Sequence, residues 1–183
     1  MLYKYRKFRD LKFDRDFLKY LIFLQLKTLF MKIVTWQPAY SEEFKKMNLQ
    51  WLEEFFFVEP HDEDVLGDPE NYIIKPGGTI LFVQDDHLHL IACVALMKIE
   101  NNIFELTKMA VKPEYRGKKI GQKLMKSTLD FAREKNWEEL IIYSNRKLEN
   151  AIHLYKKYGF VEIPIEENNP YSRGDIKMHL NLS

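Results

Sequence analysis

The stretch Tyr115-Arg116-Gly117-Lys118-Lys119-Ile120-Gly121 joins a run that reads as a strand, Ile103 to Val111, to one that reads as a helix, Lys118 to Lys135. A strand feeding a glycine-bearing turn at a helix start makes an anion site. The first helical amides have no intrahelical acceptor and point outward, and the helix dipole adds partial positive charge. Gly117 and Gly121 let the main chain approach a phosphate closely, and Lys118 and Lys119 add charge. The spacing is neither that of the P-loop nor that of the dinucleotide fingerprint. Taken alone it fits any phosphate, and equally a solvated basic helix start.

Other residues carry narrower signals. Strand alternation puts Glu105, Thr107 and Met109 on one face, so Glu105 is a carboxylate aimed at whatever that strand serves. Between Met47 and Ile74 stand eight acidic residues, Glu54 among them, without a Lys or Arg. They read as a lip for a cationic ligand or as a solvated helix face. Trp51 and Phe55 to Phe57 either line the same pocket or fill the core. Near the end, Tyr171 and Arg173 can reach a ligand, and Arg173 is suited to clamp a carboxylate. An amine that also bears a carboxylate would satisfy both the acids and Arg173. His87 and His89 share a strand face without a third ligand, so no metal is expected. Cys93, the only cysteine, stands among Ile91, Ala92, Val94 and Ala95 and reads as a buried, inert thiol. It excludes an internal disulfide and suits a reducing, cytoplasmic setting.

These residues need a scaffold. Met31 to Trp36 reads as a strand. A helix capped by Ser41 runs to about Phe57, and a shorter one, Asp62 to Tyr72, is punctuated by Gly67 and Pro69. Strands are expected at Thr79 to Gln84, Leu88 to Ile99 and Ile103 to Val111, and then the helix to Lys135 with Ile120, Leu124, Phe131 and Ala132 on one side. Leu140 to Tyr143 reads as a strand and Leu148 to Tyr158 as a helix ended by Gly159. Phe160 to Ile163 and Asp175 to Leu182 read as the last strands. The order β-α-α-β-β-β-α-β-α-β-β describes an α+β fold, a mixed and mostly antiparallel sheet flanked by helices.

The chain has 183 residues, 46% of them hydrophobic, enough for one well-packed domain. Residues 1–30 carry eight Lys/Arg against three Asp, an apolar run broken by Lys19, Gln25 and Lys27, and no signal-peptide pattern. They read as a basic, apolar extension appended to a domain over 31–183. The alternative is an amphipathic helix for a membrane surface or partner. No transmembrane segment is expected. The overall charge is +1, and with so basic an extension the remainder is mildly acidic, which argues against nucleic-acid binding.

The segment Glu105 to Met125, with Arg116-Gly117-Lys118-Lys119-Ile120-Gly121 at its turn, resembles the acetyl-CoA-binding motif of the GNAT N-acetyltransferase superfamily, although Lys119 stands where a glycine is usual. A second block, Ser144 to Phe160, resembles the family helix that ends Tyr-x-x-x-Gly-Phe, here Tyr155, Gly159 and Phe160. Its usual asparagine is replaced by Leu148 between Asn145 and Asn150, either of which could meet the cofactor. The resemblance implies acetyl-CoA as cosubstrate and a primary amine acceptor attacking the thioester directly. It implies main-chain contacts to the acetyl carbonyl from Met109, Ala110 and Val111. The pyrophosphate would be held by Arg116, Gly117, Lys118, Lys119, Ile120, Gly121 and Gln122. Glu105 would be general base, acting through water, and Tyr155 general acid; Trp51, Glu54, Tyr171 and Arg173 would line the acceptor side. Family members also form homodimers. A small-molecule acetyltransferase, a protein or peptide acetyltransferase and a non-catalytic acetyl-CoA-binding module all remain open at this stage.

Overall fold

The structure is a computed structural model that describes residues 31–167, 169 and 171–183. The expected extension over residues 1–30 lies outside them.

The chain order is β1 (Lys32–Thr35), α1 (Ser41–Phe55), α2 (Pro60–Gly67), β2 (Thr79–Gln84), β3 (Leu90–Glu100), β4 (Ile103–Val111), α3 (Ile120–Glu134), β5 (Glu139–Ser144), α4 (Glu149–Lys157), β6 (Val161–Ile163) and β7 (Ile176–Asn181). The strands form one sheet in the order β1-β2-β3-β4-β5-β7-β6. Every neighbouring pair is antiparallel except β4 and β5. This is the α+β architecture expected from the sequence.

Several boundaries move for local reasons. Ser41 is the first helical residue rather than the cap, because Pro38–Tyr40 form a 3₁₀ turn that leads into α1. The expected helix over 62–72 splits. α2 starts at Pro60, with the Asp62 carboxylate accepting the Glu59 amide at 3.1 Å, and ends where Asp68 leaves helical geometry. A wide π turn, Glu70–Ile74, follows. β3 starts at Leu90 rather than Leu88, since Leu88 sits at φ 66 in the turn and Asp85 accepts the amides of His87 and His89. α3 starts at Ile120 because Lys119 is left-handed, with φ 60.

Apolar alternation gives the sheet two covered faces. On one, Phe44, Met47 and Leu52 of α1 and Val65 and Leu66 of α2 bury Ile80, Phe82, Cys93, Ala95 and Ala110. On the other, α3 packs on β2, β3 and β4 through Leu124, Met125, Leu129 and Ala132, while Phe131 lies at the flank against Trp137. Cys93 is fully buried, and burial pushes its thiol up to about 12, so it is inert as expected.

Gly78 enters β2 where a Cβ would come within 2.4 Å of the Leu96 carbonyl oxygen and 2.6 Å of that of Ile73. Both are main-chain atoms that cannot step aside. Gly67 has no atom within 4 Å of such a position. Gly78→Ala is therefore expected to destabilise the fold by about 1–3 kcal/mol in urea unfolding, with Gly67→Ala near neutral. Equal midpoints for the two variants would contradict this account.

Candidate active site

β4 and β5 pair in parallel only from Ile103, Phe104 and Glu105 to Glu139, Leu140 and Ile141. Beyond that point they diverge, and β4 carries a bulge. Thr107 faces Ala95 and Ala110 faces Cys93, so two residues of β4 lie opposite one of β3, and Lys108 takes φ 49. The bulge resets the alternation. Ala110, not Met109, shares the Glu105 and Thr107 face and enters the core, while Met109 lies beneath Gly121, its Cε 3.7 Å from where a Cβ would stand. Lys112 gives its amide to Ile91 O at 3.0 Å, so the amides of Val111 and Met109 turn to the side that β5 has left.

A cleft of about 1000 Å³ occupies this opening, at the upper end for small-molecule sites. The start of α3 borders it. Lys123 bonds Lys119 O, so the amides of Ile120, Gly121 and Gln122 precede the first intrahelical bond. The left-handed Gly117 has no atom within 4 Å of a Cβ position. A non-glycine residue at the Lys119 conformation costs about 1 kcal/mol, strain held where the amides must converge. These bare amides and the missing side chains at Gly117 and Gly121 fit a diphosphate. Tyr115, pinned by its hydroxyl to Asp85 at 3.0 Å, steadies the turn.

Arg116, Gly117, Lys119, Ile120, Gly121 and Gln122 line the cleft as expected. Lys118 does not; its ammonium folds back to Glu114 O at 2.8 Å. Arg116 bonds Val111 O at the end of β4 and pairs with Glu54 at 2.7 Å, so the expected acceptor residue Glu54 meets the turn before α3. Asn145 and Asn150 both line the cleft; Asn145 is already tied to Arg173 O at 2.7 Å. Met109 and Val111 line it and Ala110 does not.

Tyr155 faces the cleft from α4 and is 9% exposed. Its place is set by how α4 ends. Phe160 N donates to Tyr155 O and Gly159 N to Lys156 O, both at 3.1 Å, with Gly159 at φ 93. This is the Schellman closure, and its apolar contact is the Tyr155–Phe160 ring pair at 6.1 Å. Burial pushes the Tyr155 phenol up to about 12, so it keeps its proton at neutral pH. No described residue hydrogen-bonds its hydroxyl.

Glu105 is buried and does not touch the cleft. Tyr171 stands in front of it, donating its hydroxyl to Glu105 Oε1 at 2.7 Å, with Thr107 Oγ1 at 3.2 Å. Burial raises the Glu105 carboxyl, and the Tyr171 bond and the Lys108 charge offset part of that rise. Nothing in the residue pattern singles out Lys108. Its bulge conformation sends the ammonium inward, to Asp62 at 2.7 Å and over the Tyr171 ring at 4.8 Å. Arg173 completes the cluster through both Asp62 oxygens, at 2.7 and 3.0 Å, and Glu59 at 2.9 Å. Of the expected acidic lip, only Glu54 lines the cleft, and Glu59 and Asp62 are consumed by internal pairing. Trp51 lines the cleft beside Phe55 and Phe56. Lys147, which the sequence also did not single out, lies over the Phe56 ring, 3.7 Å from its centre.

Asp62 joins α2, the β4 bulge and the segment before β7. Burial raises its carboxyl, but Arg173 and Lys108 more than reverse this and leave it below the ordinary 3.8. A depressed folded pKa gives stability that is present above the unfolded value and lost as pH falls through the folded one. Asp62→Asn is expected to cost about 3–5 kcal/mol at pH 7 by leaving two buried cations short of a partner. The gap to the parent protein should narrow below about pH 4; a gap independent of pH would place the effect elsewhere.

Residues 33–160 match the Acetyltransferase (GNAT) family. An uncharacterized N-acetyltransferase of Schizosaccharomyces pombe is 26% identical over 136 residues, 73% of this chain and 83% of that protein. N-acetylaspartate synthetase of Xenopus tropicalis is 28% identical over 105 residues, 57% of this chain but 39% of that protein. Among solved structures, a GNAT-family acetyltransferase of Staphylococcus aureus superposes with a TM-score of 0.74 at 23% identity, covering 84% of this chain and 99% of that one. Spermidine N-acetyltransferase of Vibrio cholerae, solved with CoA and spermine, gives 0.65 at 20% identity over 84% and 96%. These two share the fold. The family match runs from β1 to the closure of α4, across the splayed strands and the helix start between them, and the chain belongs to the GNAT acetyltransferase family.

Proposed function

We propose that this N-acetyltransferase moves the acetyl group of acetyl-CoA to the primary amine of a small molecule by direct attack on the thioester. The observation that carries the reading is the gap between β4 and β5, which sets outward amides of β4, the bare amides of α3 and the Tyr155 hydroxyl around one cleft. The small-molecule acceptor is supported by the printed activities of N-acetylaspartate synthetase and spermidine N-acetyltransferase. A reducing compartment such as the cytoplasm suits a chain whose one cysteine, Cys93, is buried and unpaired with another.

Bound acetyl-CoA supplies an activated acetyl group. The amides of Ile120, Gly121 and Gln122, with Arg116 and Lys119, hold the diphosphate. Val111 and Met109 offer main-chain N–H groups to the carbonyl oxygen, whose negative charge grows as the amine nitrogen bonds to carbon. Glu105 draws off the ammonium proton through the Tyr171 hydroxyl. A carboxylate raised by burial accepts that proton more readily than an exposed one. As the carbon–sulfur bond breaks, Tyr155 passes its hydroxyl proton to the thiolate and is reprotonated from water, which also takes the second proton released by the acylated nitrogen. Because the phenol titrates at about 12, the acid is in its working form throughout the physiological range.

Tyr155→Phe is expected to lower kcat about a hundredfold with the acetyl-CoA KM nearly unchanged, followed as thiol release with a panel of amines. Full turnover by this variant would remove Tyr155 from the chemistry. Calorimetry should show CoA binding that weakens on Arg116→Glu; no binding to the parent protein at millimolar CoA would end the proposal. Glu105→Gln is expected to lower kcat/KM and abolish its acidic limb. Its folded pKa is raised, so its charge opposes folding as pH rises, and the same variant should hold or raise Tm at pH 8.

A further inference from the structure

We propose that the amine acceptor carries an anionic group, a carboxylate in the first instance, and that Lys147 receives it. The inference rests on the transferase reading and names its substrate class.

The charges around the cleft divide sharply. Its lining includes Lys108, Arg116, Lys119, Lys147, Lys157 and Arg173 but only two acids, Glu54 and Glu149. Glu54 is committed to Arg116. Once the internal pairs are set aside, Lys119, Lys147 and Lys157 still outnumber Glu149, a surplus that disfavours a polycationic acceptor and attracts an anion. Most of the cations already have work. Arg116 and Lys119 belong to the phosphate turn, and Lys157 bonds Gln122 Oε1 at 3.0 Å beside it. Lys108 is saturated by the buried Asp62. Arg173, the residue whose type suggests a carboxylate clamp, spends its guanidinium on Asp62 and Glu59.

Lys147 differs. Among the described residues its ammonium has no carboxylate partner; it meets the Phe55 carbonyl and the face of Phe56. A cation held on a ring face gives up little to bind an anion. The same ring carries Arg173 at 5.9 Å, Arg173 lies over the Tyr171 ring at 5.3 Å, and Tyr171 bonds Glu105. A continuous wall thus leads from Lys147 to the proposed base. An amine directed at Glu105 and Tyr171 leaves its anionic end toward Lys147. Asn145, whose Oδ1 accepts the Lys147 amide at 3.0 Å, fixes the loop that presents it.

The test is steady-state thiol release from acetyl-CoA by the full chain, comparing glycine, β-alanine, aspartate and glutamate with glycinamide, ethanolamine and spermidine. The carboxylate amines should exceed their neutral counterparts in kcat/KM by about tenfold or more, the worth of one charge-assisted contact. Lys147→Gln, an exposed change that should lower the thermal midpoint by no more than a few degrees for the lost Phe55 and Phe56 contacts, should erase this preference through the acceptor KM and leave the acetyl-CoA KM within about twofold. Equal or better turnover of spermidine or the neutral amines would overturn the anion subsite and leave the transferase reading standing. So would a Lys147→Gln effect confined to the acetyl-CoA KM, which would assign the ammonium to the cofactor. Turnover of polypeptides alone would overturn both the small-molecule reading and the subsite. No turnover with any amine would overturn the transferase reading and this inference with it.

Discussion

Asp62 holds Lys108 and Arg173 in a buried cluster, and the rest of the site depends on that contact. A strand that leaves its neighbour in mid-sheet exposes main-chain amides, and the cheap resolution is for the two strands to close and pair. Here β4 is kept apart from β5 by a bulge at a left-handed Lys108 whose ammonium is pulled inward by Asp62. The same carboxylate fixes Arg173, and so the position of Tyr171. Buried ion pairs are poor sources of stability, because desolvation takes back most of the Coulomb gain. Three charged residues drawn from distant parts of the chain are better explained by the geometry they impose. They keep the opening at one width and stand Tyr171 in front of Glu105.

The layered fold was legible in the sequence because it rests on repeating patterns. Apolar alternation over Thr79 to Val111 and the periodic face of α3 required a sheet covered on both sides. The turn before α3 stood out because glycines, lysines and a strand-to-helix change occur within a few residues. Lys108 and Lys147 were not. Each looks in sequence like a surface lysine, and its role follows from a backbone irregularity or a distant ring. Alternation misplaced Met109 because the bulge inserts a residue that no letter announces. The acidic run between Met47 and Ile74 left two readings open for a related reason. Composition shows how many acids there are but not which cations they face, and Glu59 and Asp62 are neutralised by partners more than forty residues away in sequence.

The cleft therefore has a charge character opposite to the one its nearest sequence suggests. Acids were supplied locally by α1, α2 and the turn after them, while bases arrive from β4, the turn before α3, the loop before α4 and the segment before β7. Once the acids pair, the surplus facing the cleft is positive. This suits a diphosphate at one end, and on the proposed reading it would make the acceptor end selective by repulsion as much as by attraction. Glu54 is the instructive case. Its pairing with Arg116 lays the end of α1 beside the phosphate turn, so the two ends of the cleft are linked by one ion pair.

Tyr155 shows why the second block could be recognised at all. α4 has only nine residues, too few to hold a helix by local bonds. It depends on its closure, in which Gly159 turns the chain left-handed and Phe160 returns its amide to Tyr155 O. The aromatic contact that completes this closure is made by Tyr155 itself. Replacing Gly159 or Phe160 would therefore shift the phenol as well as fray the helix, and replacing Tyr155 by a small residue would loosen the end that positions it. A side chain that is both the cap's apolar partner and the proposed proton donor leaves little freedom to the residues around it. That double constraint writes a readable pattern into the chain, whereas Lys108, held by a single distant carboxylate, leaves none.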